Sequence, residues 1–168
     1  MQGILFLRCS FLIIGCIFVS DSAFAYQTSF RGISLHQSAI EFKKNMPTKF
    51  NLKHTALDTY LIDDGDFNCG TLTVDTDLAI TSMDLSYCFF ELDPSISLED
   101  FTQLIVNNYN IGSMKGVVEH NPFTQQDELS YQAETSSGEA LRIYKNLGML
   151  LTPSIEIKDV KDAAKGKF

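Results

Sequence analysis

The sequence predicts an α+β domain: an antiparallel sheet with two helices packed on one face, with a hint of two helix-plus-strands half-repeats. Three observations predict it. A capped apolar stripe with helical spacing begins at Ser97, alternating apolar and polar residues run through 69–74, 80–90 and 128–144, and the order along the chain is helix, strands, helix, strands.

Residues 1–25 are expected to be a cleavable secretory signal peptide. Arg8 is followed by an apolar stretch from Cys9 to Ser20, and Ala23 and Ala25 form an A-x-A cleavage pattern. The stretch is shorter than the roughly 20 residues of a spanning helix, so no transmembrane segment is expected after cleavage. Ile13-Ile14-Gly15-Cys16 loosely imitates a lipidation box, but Ile17-Phe18-Val19 stand where a lipoprotein begins a polar linker. Lipidation at Cys16 is left open. Cleavage after Ala25 places the protein in the periplasm or outside the cell, as a single domain at 26–160 with a frayed tail at 161–168.

The elements follow in order. Ser38 and Glu41 have the spacing of a capping box, predicting a helix over about 38–46, in which Phe42 and Met46 share a face and Lys43 and Lys44 point away. Strands are predicted from Leu57 to Ile62, Cys69 to Val74 and Ile80 to Phe90, with the turn Asp63-Asp64-Gly65-Asp66-Phe67-Asn68 between the first two. In the third, Met83, Leu85, Tyr87 and Phe89 face one side, and Ser82, Asp84, Ser86 and Cys88 the other. The second helix is capped by Ser97, with Glu99 and Asp100 in its first turn and Leu98, Phe101, Leu104, Ile105 and Tyr109 as its apolar stripe, ending before Gly112. Strands over 128–135, 139–144 and 149–160 complete the chain, the last broken near Pro153. The tripeptide Ile33-Ser34-Leu35 recurs at Ile96-Ser97-Leu98, beside the second helix, which is the basis for the half-repeats.

Removal of the signal leaves two cysteines, Cys69 and Cys88, expected to form one disulfide in an oxidising compartment. Register bears on this. A two-residue turn at Leu78-Ala79 sets the cysteines opposite each other but lacks the usual turn residues, whereas one at Asp77-Leu78 leaves them diagonal; a bulge or a looser turn over Asp75 to Leu78 reconciles the two.

The formal charge is −8, from 21 Asp and Glu against 13 Lys and Arg, and it is uneven. No Lys or Arg occurs between Lys53 and Lys115, while Asp58, Asp63, Asp64, Asp66, Asp75 and Asp77 begin a long acidic span. Nucleic acid is therefore not expected as a partner, because phosphate binding requires a basic face. A protein partner, basic in character, fits the acidic span.

Catalytic signatures are sparse. Asp64, Asp66, Asn68 and Asp75 imitate the oxygens of a calcium loop, but Cys69 stands where the loop needs Gly and Asp75 replaces the longer Glu, so no metal and no cofactor are expected. His36, His54 and His120 lack zinc spacing, and no catalytic residue is nominated. The acid pair Glu91 and Asp93 is a weak glycosidase signal. Tyr109, Tyr131 and Tyr144 could line a binding groove, with core packing as their ordinary role.

The stretch Gly32-Ile33-Ser34-Leu35-His36-Gln37-Ser38-Ala39-Ile40-Glu41 resembles the G-I-x-L-G-x-S-x-x-E opening of small exported bacterial α/β proteins, among them the small lipoprotein of the outer-membrane barrel-assembly machinery and the β-lactamase inhibitor proteins. It departs at His36, where Gly is expected. The resemblance covers about ten residues and identifies no family, but it implies binding to other proteins rather than turnover. The expected function is thus an exported, non-enzymatic protein that binds another macromolecule. The alternatives are an inhibitor or immunity factor against a basic hydrolase, and a secreted hydrolase whose carboxylates meet only in the fold.

Overall fold

The computed structural model describes residues 28–122, 124–146 and 151–163; the expected signal peptide, Cys9, Cys16 and residues 164–168 lie outside them. Among the described residues, eight strands form one antiparallel sheet: β1 (Asn51–Ala56), β2 (Thr59–Asp63), β3 (Asn68–Val74), β4 (Ile80–Ser86), β5 (Lys115–Asn121), β6 (Gln126–Glu134), β7 (Glu139–Asn146) and β8 (Thr152–Asp159). Their spatial order is β1-β2-β3-β4-β8-β7-β6-β5, so two four-stranded meanders meet along β4 and β8. Helix α1 (Ala39–Asn45) precedes the first meander and α2 (Leu98–Tyr109) the second, with a short α3 (Val160–Ala163) following β8. The repeated tripeptides do not hold equivalent places: Leu35 precedes α1, whereas Leu98 is the first residue of α2.

Strand parity sets the core. Leu72 pairs with Met83, Met83 with Ile157 and Ile157 with Leu141, while Leu85 pairs with Ile155 and Ile155 with Ile143. All are buried, in one cluster with Phe42 of α1 and Leu98, Phe101 and Ile105 of α2. Gly70 lies opposite Leu85, and a Cβ there would stand 2.6 Å from the Asp84 carbonyl oxygen, so the close approach of β3 to β4 requires glycine.

The helix starts differ in how they are satisfied. At α2, Ser97 Oγ accepts from the Asp100 amide at 3.0 Å and donates to Asp100 Oδ2 at 2.7 Å, as its N-cap sequence implies. At α1 the predicted capping box does not form, because Ser38 makes no side-chain cap. A different donor of the first turn, the Ala39 amide, is met by the Leu78 carbonyl from the β3–β4 turn at 2.9 Å. Beyond α2 the chain turns at Asn110, in the left-handed conformation at φ 51, before reaching Gly112.

The strand expected to reach Phe90 ends at Ser86. Residues Tyr87–Phe90 form one 3₁₀ turn, closed by Glu91 in the left-handed conformation, and this turn carries Cys88 back over β3 to Cys69. The disulfide thus forms with Cα atoms 5.1 Å apart, although Cys88 is not on a strand. The register reconciliation comes from both ends: a bulge between Thr73 and Val74 and the 3₁₀ turn after Ser86. Replacing both cysteines with alanine should cost about 2–3 kcal/mol, chiefly by freeing a 19-residue loop in the unfolded chain. A urea midpoint indistinguishable from that of the oxidised protein would contradict this.

The same 3₁₀ turn delivers aromatic rings to the core. Phe90 has ring centroids of Phe30, Phe89, Phe101 and Tyr109 at 6.3, 5.4, 5.6 and 5.9 Å. Its outer end is clamped by charge, since Glu91 receives Arg31 at 2.6 Å and Lys49 at 2.8 Å, and Arg31 also donates to the Phe89 carbonyl at 2.8 Å. These hydrogen bonds, from Lys49 first and Arg31 second, hold the Glu91 carboxyl down at about 2. A depressed carboxyl contributes stability above its unfolded pKa of about 4.3 and loses it as pH falls towards the folded value. Glu91→Gln should therefore lower stability at neutral pH and flatten its decline between roughly pH 4 and pH 2, as measured by denaturant titration across that range.

Candidate functional site

The acids singled out in the sequence do not share one surface. The Asp58 carbonyl accepts from Val74 at 2.8 Å, which places Asp58, Asp75 and Asp77 together where the β1–β2 and β3–β4 turns meet. Asp63, Asp64 and Asp66 lie at the far end of β3, a seven-residue strand about 23 Å long. That distance separates Asp75 from Asp64, Asp66 and Asn68, so these four cannot surround one calcium ion, whose ligands lie within about 2.6 Å of it.

Their oxygens serve the turns. Asp64 Oδ1 accepts the amides of Asp66 and Phe67, Asp75 Oδ1 those of Asp77 and Ala79, and Asn68 Oδ1 that of Gly70. Asp63 is buried, and Lys53 at 2.9 Å holds its carboxyl below the ordinary value. Asp64 also lies near the sulfurs of Cys69 and Cys88, but these are joined to each other and are not thiolates.

The other candidates are dispersed as well. His36 pairs with Asp159 at 3.1 Å, His120 with Asp127 at 3.0 Å, and the His54 ring lies 4.9 Å from that of Tyr60, tilted by 45°. Glu91 and Asp93 both have lowered carboxyl pKa values, Asp93 through the Ser95 hydroxyl and amide, which disfavours either as a proton donor at neutral pH. Of the three tyrosines, Tyr109 joins the aromatic core, and Tyr131 packs at its margin with its hydroxyl 3.5 Å from Glu99.

Tyr144 leads to a site the sequence did not nominate. On the sheet face opposite the apolar cluster, cross-strand pairing aligns Thr71, Asp84, Glu156, Arg142, Gln132 and Lys115 in one row from β3 to β5. The neighbouring row is Ser86, Ser154 and Tyr144. The small Ser154, fully buried, lets the Tyr144 side chain cross β8 and donate its hydroxyl proton to Asp84 Oδ2 at 2.5 Å. Asn146 Nδ2 lies 3.4 Å from the same oxygen, Lys158 pairs with Glu156 at 2.6 Å, and the Arg142 guanidinium stands over the Tyr144 ring.

Burial dominates the electrostatics here. It pushes the Asp84 carboxyl up to about 6 despite the Tyr144 hydrogen bond, with the negative charge of Glu156 adding to the rise and Lys158 opposing it. Tyr144 is raised by burial and by the charge of Asp84, so its phenol stays protonated and remains a donor.

Beside this row the sheet opens. β6 pairs with β7 only from Tyr131 and Ile143 to Glu134 and Ala140, although β6 begins at Gln126 and β7 runs on to Asn146. β5, by contrast, follows β6 down to Gln126. The diverging strands leave a cleft of about 530 Å³ walled by 126–130 on one side and Arg142, Tyr144 and Lys145 on the other, with Leu98, Glu99 and Leu151 also lining it. Arg142 reaches Glu119 of β5 at 3.1 Å, spanning from one wall to the strand behind the other.

In comparisons with family models, curated proteins and solved structures, nothing matches this chain. No helix among the described residues is long and apolar enough to cross a membrane.

Proposed function

We propose that this is an exported protein, periplasmic or secreted, that acts by binding a partner protein. The observation that carries the reading is the two-faced sheet. On this reading both helices cover the apolar face, and the opposite face, with its row from Thr71 to Lys115, is the docking side. A disulfide between β3 and the 3₁₀ turn supports export, because such bonds persist in oxidising compartments. The net charge of −8 favours a basic partner and makes association sensitive to salt.

The test is affinity capture with the C-terminally tagged chain from cell-envelope extract and culture medium, at low and at physiological salt, with the bound proteins identified by mass spectrometry. A reproducible basic partner released by salt is expected. Capture of nothing above a tag-only control would reject the reading.

A second reading rests on Asp84. An acid raised to about 6, directly cross-strand from Glu156, is the kind of pair that a hydrolase uses. Neither carboxylate lines the cleft, which receives only Tyr144 and Arg142 from this group. Hydrolysis of a glycoside or ester panel by the wild-type chain, lost in Asp84→Asn, would favour this reading over binding.

A further inference from the structure

We propose that the cleft between β6 and β7 receives an extended segment of the partner polypeptide, which adds as a strand to the edge of β6. The inference rests on the binding reading and specifies its site. Its basis is an interrupted ladder inside a sheet. Continued past Tyr131 and Ile143, the register would set Ser130 opposite Tyr144, Leu129 opposite Lys145 and Glu128 opposite Asn146, but among the described residues none of these pairs forms. Among the described residues, 126–130 keep β5 on one side and have no strand on the other.

Backbone amides and carbonyls on such an edge are a template for another strand, because each one left without a partner away from water costs free energy. The five residues 126–130 extend about 16 Å, enough to pair with an extended segment of similar length.

The lining selects what enters. Leu129 and Leu151 are 41% and 55% exposed, respectively, and offer apolar contact to alternate side chains of an incoming strand. Glu99, Asp127 and Glu128 supply negative charge against Lys145, Asp127 with His120 beside it and Glu128 holding Asn121 and Thr124, while the Arg142 charge is met by Glu119. The segment that fits is extended, alternates apolar with basic residues and offers free backbone amides. An isolated exposed edge would be an aggregation hazard; here the edge faces Arg142, Tyr144 and Lys145 across the cleft.

Hydrogen exchange tests this on the full chain, with a hexapeptide of alternating valine and lysine as the probe and the same hexapeptide N-methylated along its backbone as the control. Without peptide, the cleft-facing amides among 126–130 should exchange faster than those of 131–134. The unmodified peptide should slow them about tenfold or more, and the N-methylated one should not. Three results would overturn the proposal: 126–130 already as slow as 131–134 in the free chain, which would mean that the chain itself or a second copy fills the cleft; no slowing with the unmodified peptide; or equal slowing with both peptides, which would exclude strand addition.

The double variant Asp127→Lys, Leu129→Lys separates this inference from the binding reading. In the capture experiment it should lose the partner that the wild-type chain retains. Retention by both would reject the cleft while leaving the binding reading standing, and capture by neither would reject the binding reading while hydrogen exchange still decides the cleft.

Discussion

Phe90→Ala should destabilise the fold by about 4 kcal/mol. Phe90 is 9% exposed and touches four other aromatic rings, one from the N-terminal segment, one beside it in the 3₁₀ turn and two from α2. Truncation removes the transfer energy of the ring and leaves a cavity whose walls are held by the disulfide at Cys88 and the Glu91 clamp, so collapse is restricted. Phe90→Leu keeps most of the volume and should lose less than half as much. Urea denaturation of both variants measures this. A loss below about 1.5 kcal/mol for the alanine variant would mean that the rings repack and that Phe90 is not their hub.

The sequence carried the parts of this architecture that depend on local pattern. The stripe of α2 and its Ser97 cap are encoded within one helix length, and Cys69 to Val74 and Ile80 to Ser86 alternate as half-buried strands must. The edge strands β1 and β5 escaped notice for a physical reason. β1 buries only Leu52 and β5 buries no residue fully, so neither has an apolar face for alternation to reveal. The end of the strand at Ser86 was hidden by Tyr87, Cys88, Phe89 and Phe90, whose alternation continues that of β4 while the backbone winds into a 3₁₀ turn. The capping box at Ser38 does not form: no side-chain cap is made there, and the Ala39 amide at the helix start donates to the carbonyl of Leu78, 39 residues away.

The candidate site was less legible than the fold. Parity placed Asp84 on the polar side of β4, and nothing local indicated that a tyrosine 60 residues later would cross a buried serine to reach it. The acidic span read as one surface because sequence proximity stood in for space; a meander sends successive turns to opposite ends, which divides Asp58, Asp75 and Asp77 from Asp64 and Asp66. The cleft is a ladder that stops short, and the runs 128–135 and 139–144 look the same whether or not they pair along their whole length. Pairing belongs to two strands at once, and neither states it alone.

Asp84→Asn should stabilise the protein at neutral pH, by up to about 3 kcal/mol, and leave it nearly unchanged at pH 4. The carboxyl is raised from 3.8 to about 6, chiefly by burial, so the folded state binds the proton more tightly than the unfolded chain does. A raised acid imposes no penalty below pH 3.8, an increasing one between pH 3.8 and about 6, and a constant one above, the reverse of the Glu91 dependence. Asparagine stands in for the neutral form at every pH, and its side-chain oxygen can still accept from Tyr144. Denaturant titrations of both proteins from pH 4 to pH 8 should therefore diverge as pH rises, with the variant the more stable. Equal stability at pH 7 would show that solvent reaches the carboxylate. A penalty of this size retained in the wild-type chain is what a functional acid would carry, so the same variant bears on mechanism. If it gains stability and binds its partner unchanged, Asp84 is outside the docking contact. If it gains stability and loses a hydrolytic activity shown by the wild-type chain, the Asp84 and Glu156 pair is the working part of the molecule.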